Sequence, residues 1–66
     1  MKVRIDTEDD ALHFELDDAE IVESEEVQPG VILDFDKDGR LVAIEILDLS
    51  RHLTPEKLRL MQFETV

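Results

Sequence analysis

The Asp38-Gly39 pair constrains this chain more than any other feature, because an alternating apolar run stands on each side of it. Val31–Phe35 and Leu41–Leu47 are separated by Asp36-Lys37-Asp38-Gly39-Arg40, and Asp-Gly between two such runs is the local signature of a tight β-hairpin. With Asp38-Gly39 as the turn and Lys37 opposite Arg40, Phe35 is expected to face Val42, Leu33 to face Ile44, and Val31 to face Ile46. Side chains alternate along a strand, so these six share one face, and a slip of one residue would scatter them. The opposite face would carry Ile32, Asp34, Leu41, Ala43, Glu45 and Leu47. That set is too apolar for open water and too charged for a closed core. It reads as a second, partly covered surface, set against a helix or another chain.

The same period recurs upstream. Val3 and Ile5 alternate with Lys2, Arg4 and Asp6, and Leu12, Phe14 and Leu16 alternate with Ala11, His13 and Glu15. If Thr7-Glu8-Asp9-Asp10 is the loop and Asp6 faces Ala11, then Ile5 meets Leu12 and Val3 meets Phe14 on one face. After a turn at Asp17-Asp18-Ala19, Ile21–Val27 reads as a short edge strand whose Glu23, Glu25 and Glu26 discourage stray pairing. Gln28-Pro29-Gly30 ends it. Near the C-terminus the period changes. Thr54 is placed to cap a helix, Pro55 suits its first position, Glu56 complements its dipole, and Leu58 and Met61 fall on one side. The expected fold is therefore α+β and a single domain over residues 1–66. It comprises a small antiparallel β-meander at about 3–48, made of two hairpins plus a short edge strand, and a C-terminal helical segment at about 49–63.

A chain of 66 residues has a marginal core. Domains this small usually add disulfides, a metal or a partner subunit. There is no cysteine, which excludes disulfides and thiolate zinc sites, so association is the expected remedy, most simply a symmetric homodimer. Seven Lys and Arg against eighteen Asp and Glu give a formal net charge of −11. Nucleic acid is excluded as a partner on that ground, since phosphate binding needs cationic surface. The acidity reads as a solubility device or as complementarity to a basic protein. No apolar stretch reaches the ~20 residues that span a bilayer, and the alternating, quickly acidic N-terminus is not patterned as a signal peptide. A cytoplasmic location is the expectation.

Residues 34–45 carry the most conspicuous candidate site. Asp34, Asp36, Asp38 and Glu45 occupy ligand positions of a calcium loop, with Gly39 at its sharp turn. That loop functions between two helices, whereas here the flanks alternate as strands and put Asp34 and Glu45 on extended backbone. A hairpin with an acidic tip is the expected reading, and weak calcium binding the alternative. His13 is expected opposite the main core beside Glu15, and His52 near the helix start with Glu56 four residues on; neither has a second imidazole for a metal site, and both read as ordinary surface histidines. Thr7, Ser24, Ser50, Thr54 and Thr65 lie in no nucleophile context, and two glycines are too few for a phosphate loop. No catalytic or cofactor-binding residue is assigned, and the chain is read as a non-enzyme.

Several blocks resemble one family in order: Asp10-Ala11-Leu12, Glu23-Ser24-Glu25-Glu26-Val27, Pro29-Gly30-Val31, Asp34–Val42 and Ile44-Glu45-Ile46-Leu47-Asp48. Over about residues 1–53 the chain is similar to the small prokaryotic domain of unknown function 2283 (DUF2283), although Ile5 and His13 stand where aromatic residues are expected. The resemblance implies a compact β-rich fold with a helical end, a bacterial or archaeal cytoplasm, and no established activity. Some members look to be encoded beside small toxin-like proteins, which implies an antitoxin-like or masking role. The expected function is a self-associating, non-enzymatic interaction domain. An acidic partner that neutralises a basic protein is the second reading, and a weak calcium binder the third.

Overall fold

A computed structural model describes all 66 residues. Five strands form one open antiparallel sheet: β1 (Lys2–Asp6), β2 (Ala11–Glu15), β3 (Glu23–Gln28), β4 (Val31–Phe35) and β5 (Leu41–Ile46). Their order across the sheet is β1-β2-β5-β4-β3. The stretch β3-β4-β5 runs as a meander, and the β1–β2 hairpin adds to the free side of β5. β3 is an edge strand, as its glutamates suggest. A single 3-10 turn (Leu49–Arg51) and a short helix α1 (Pro55–Arg59) follow, in place of one continuous helical segment over 49–63. Thr54 caps α1 by accepting the N–H of Lys57 at 3.3 Å, and Pro55 occupies its first turn.

The β1–β2 hairpin has the register that its apolar pattern dictates, with Val3 opposite Phe14 and Ile5 opposite Leu12. Asp6 Oδ1 accepts the N–H groups of Glu8 and Asp9, which fixes the turn at its entry. The β4–β5 hairpin departs from expectation at one point. Val31–Ile46 and Leu33–Ile44 are opposite one another, but Phe35 faces Leu41 and not Val42. The cause lies in the turn. Gly39 donates to the carbonyl of Asp36 and Asp36 donates to that of Arg40, so the loop closes over Lys37-Asp38-Gly39 with Gly39 at φ +77°. The Asp36 carboxylate favours this loop by accepting the N–H groups of Asp38 and Arg40, both at 2.9 Å. A three-residue loop of this kind shifts the pairing by one residue, and an irregularity between Asp34 and Phe35 restores it. Val42 is the extra residue. It is 2 % exposed, and its carbonyl accepts the N–H groups of both Leu16 and Asp17 as the chain leaves β2.

The registers align residues in rows across the sheet. Val3, Phe14, Ile44, Leu33 and Glu25 form one row, and Ile5, Leu12, Ile46, Val31 and Gln28 another, on the apolar face. No residue in either row is buried. The helix α1 buries none of its own side chains, so it is not a lid for this face. The C-terminal segment is instead tied to the β1–β2 turn. Asp10, at φ +51°, accepts the N–H of Leu49 on its carbonyl, the N–H of Ser50 on Oδ1, and the Ser50 hydroxyl at 2.6 Å on Oδ2. This clamp seats Leu49, the largest fully buried apolar side chain.

Two expectations follow for stability. Leu49→Ala should cost about 2–5 kcal/mol in urea unfolding, a large fraction of what a domain this small has to lose. Gly39→Ala should cost about 1–2 kcal/mol although no atom lies within 4 Å of the added methyl, because the penalty comes from backbone conformation alone.

Candidate functional site: a buried acid pair on the polar face

The face opposite the apolar rows holds two rows of its own. Arg4, His13, Glu45, Ile32 and Glu26 make one; Lys2, Glu15, Ala43, Asp34 and Ser24 make the other. Alternation compels this placement once the apolar rows are set. Ala43 lies between Glu15 and Asp34 and is fully buried, since a methyl group is overtopped by longer neighbours on both sides. Asp34 is 1 % exposed, the only charged residue so deeply covered.

Burial of a carboxylate is costly unless its oxygens are satisfied. Asp34 Oδ1 accepts the Ser24 hydroxyl from β3 at 2.6 Å. Asp34 Oδ2 is buried with no donor on it. Glu45 stands one diagonal step away on β5, a separation that long side chains span. Hydrogen bonding of its protonated form to Asp34, then its burial, then the charge of Asp34 push the Glu45 carboxyl above its ordinary range. His13 and Arg4 pull it the other way to a smaller extent. Arg4, His13 and Glu45 also line a shallow hollow of about 330 Å³. His13 is half-buried rather than on the open surface, because it sits on an inner strand between Arg4 and Glu45, and its Nε2 is covered without a hydrogen-bond partner.

The four acids of the calcium-loop pattern are divided between two places. Asp34 and Glu45 meet on the polar face, whereas Asp36 and Asp38 belong to the hairpin tip. Asp36 is engaged with backbone: the N–H of Arg40 and that of Asp38 hold its carboxyl below the usual carboxylate range. No three Asp, Glu or His side chains converge as a metal-binding group. His52 is exposed at the end of the 3-10 turn. The Asp34–Glu45 contact was legible in the strand register as a same-face pair, but its depth of burial was not. Asp10 and Ser50, forty residues apart, gave no sequence signal for their clamp. Millimolar calcium should leave the melting temperature nearly fixed, whereas a ligand at 100 times its Kd would add about 2.7 kcal/mol. A rise of several degrees with calcium but not magnesium would show that the tip does bind it.

No helix is long and apolar enough to cross a membrane. No curated protein and no solved structure gives a significant match to the chain. One protein-family profile does match, that described as protein of unknown function (DUF2283), over residues 2–50. The match takes in all five strands, the turn that holds Asp10, and Ser50 that closes onto it. It ends before α1. This chain belongs to the DUF2283 family.

Proposed function

We propose that the chain is a non-enzymatic interaction domain whose apolar sheet face pairs with the same face of a second copy. The observation that carries this is surface area. The folded chain exposes 5503 Å². A monomer of its mass is expected to expose about 4,300 Å², so roughly 1,200 Å² is in excess. Its radius of gyration, 12.8 Å, likewise exceeds the value of about 11 Å for a compact chain of this length. A stable interface takes about 800 Å² from each partner, so the surplus is of the right size for one.

The apolar rows offer the matching chemistry. They run through four strands and end on β3 at Glu25 and the neutral Gln28, which leaves their single acid at the rim. Two chains at −11 repel, but screening beyond about 8 Å at physiological salt limits that penalty to acids near the contact. A two-fold arrangement lets one patch serve both chains. The competing reading, a basic protein neutralised by this acidic chain, is favoured by the exposed edge at Glu23, Glu25 and Glu26. It differs in requiring no second copy.

Sedimentation equilibrium at high micromolar concentration and moderate salt should give twice 7.6 kDa. Ile5→Glu is the informative variant, since Ile5 is already 36 % exposed in the single chain and its replacement costs little folding. It should weaken self-association at least tenfold with the circular dichroism of the sheet retained. A clean 7.6 kDa species for the unaltered chain would remove the proposal and leave the basic-partner reading.

A further inference from the structure

We propose that the folded sheet binds one proton between Asp34 and Glu45, and that this proton, not a metal ion, is the ligand of the polar face. The inference is independent of self-association. It rests on the geometry of a carboxylate that is 1 % exposed, has a single protein donor, and leaves Oδ2 buried and unpartnered beside a second carboxyl group. Two ionised carboxylates in contact repel, and neither supplies the missing donor. A proton on Glu45 answers both problems. Glu45 then donates to Asp34, Oδ2 being the oxygen left for it, and the pair carries one negative charge instead of two. A metal ion would need further ligands, and the side chains around the pair do not converge to supply them.

The charged and titratable groups that face the pair come from every neighbouring strand. β1 contributes Lys2 and Arg4, β2 contributes His13 and Glu15, and β3 contributes Glu26 beyond Ser24. Asp6 and Asp9 border the hollow beside Glu45. Arg4 and His13 favour an ionised Glu45 but are outweighed by its contact with Asp34 and its burial.

The direction of the pH effect follows. Glu45 holds its proton more tightly in the folded chain than at its ordinary value of 4.5, so the folded state carries more protons over the interval above 4.5. The stabilisation from the shared proton is fully present below that value. It is lost as pH rises through the folded-state midpoint. Relief of the general self-repulsion of this acidic chain has the same sign, so a control must remove charge elsewhere.

The test uses the full chain at fixed concentration, since the melting of any dimer depends on it. Glu45→Gln replaces the titrating donor with an amide N–H that serves Asp34 Oδ2 at every pH. Exposed Glu8→Gln removes one charge without touching the pair. On passing from pH 7.5 to 5, the unaltered chain should gain roughly 3–7 °C in melting temperature for each unit by which the Glu45 midpoint is raised. Glu45→Gln should melt several degrees higher than the unaltered chain at pH 7.5 and gain much less on acidification, whereas Glu8→Gln should keep the unaltered profile. Carbon-detected NMR of the Glu45 carboxyl should place its midpoint above 4.5. Identical pH profiles for the two variants, or a midpoint at or below 4.5, would overturn the proposal. So would stabilisation by magnesium, manganese or zinc that Asp34→Asn abolishes, which would assign the site to a metal.

Discussion

The β4–β5 pairing is the constraint on which the rest of this molecule depends. Val31–Ile46 and Leu33–Ile44 decide which residues of two inner strands face which way, and every row across the sheet continues from them. β2 reads its register from β5, β1 from β2, and β3 from β4. The pairing survives a turn that would by itself displace it. The loop at Lys37-Asp38-Gly39 moves the strands by one residue, and the extra residue Val42 moves them back. Without that compensation Asp34 would not lie opposite Ala43, and the acid pair and the apolar rows would both be lost.

A single sheet has two faces and one short helix cannot cover either. The chain answers this differently on each side. On the polar side, side chains cover one another: long residues close over Ala43, and Asp34 lies between Ser24, which donates to one of its oxygens, and Glu45. On the apolar side no such device operates, because aliphatic side chains offer one another only partial shelter. Val3, Leu12, Phe14, Val31, Leu33, Ile44 and Ile46 remain half-buried, and Met61 and Phe63 add apolar surface of their own near Val3 and Ile5. The deepest burial in the sheet thus falls on the face that the sequence makes the more polar.

Much of this is legible in the sequence. Alternation and turn residues were enough for five strands, the β1–β2 register, the position of β3 at an edge and two of the three expected β4–β5 pairs. The turn failed at its last step because Asp-Gly suits both two- and three-residue loops, and the choice rests on Asp36 accepting two backbone N–H groups. The C-terminal helical segment is split in two, since Asp10 anchors a 3-10 turn at Leu49 and Ser50 and Thr54-Pro55 starts a separate helix. The calcium-like spacing was real but its geometry was not, as extended backbone carries Asp34 and Glu45 away from the tip. What no pattern could supply was depth. Asp34 alternates with Leu33 and Phe35 as an outward-facing strand residue does, yet it has the exposure of a core residue.

The clamp between Asp10 and Ser50 spans forty residues, and the β2–β5 pairing it accompanies spans nearly the whole sheet-forming chain. The hairpins β1–β2, β3–β4 and β4–β5, in contrast, are each closed by a few residues. The molecule is therefore assembled from two locally closed pieces joined by one distant seam. Loop-closure entropy falls mainly on that seam, and contacts distant along the chain slow folding more than they limit stability. Asp10, an acid in a left-handed turn with no place in either set of rows, holds one end of that seam. Its three hydrogen bonds act where the two pieces meet, so they bear on how long the native arrangement lasts once made as much as on how it is reached.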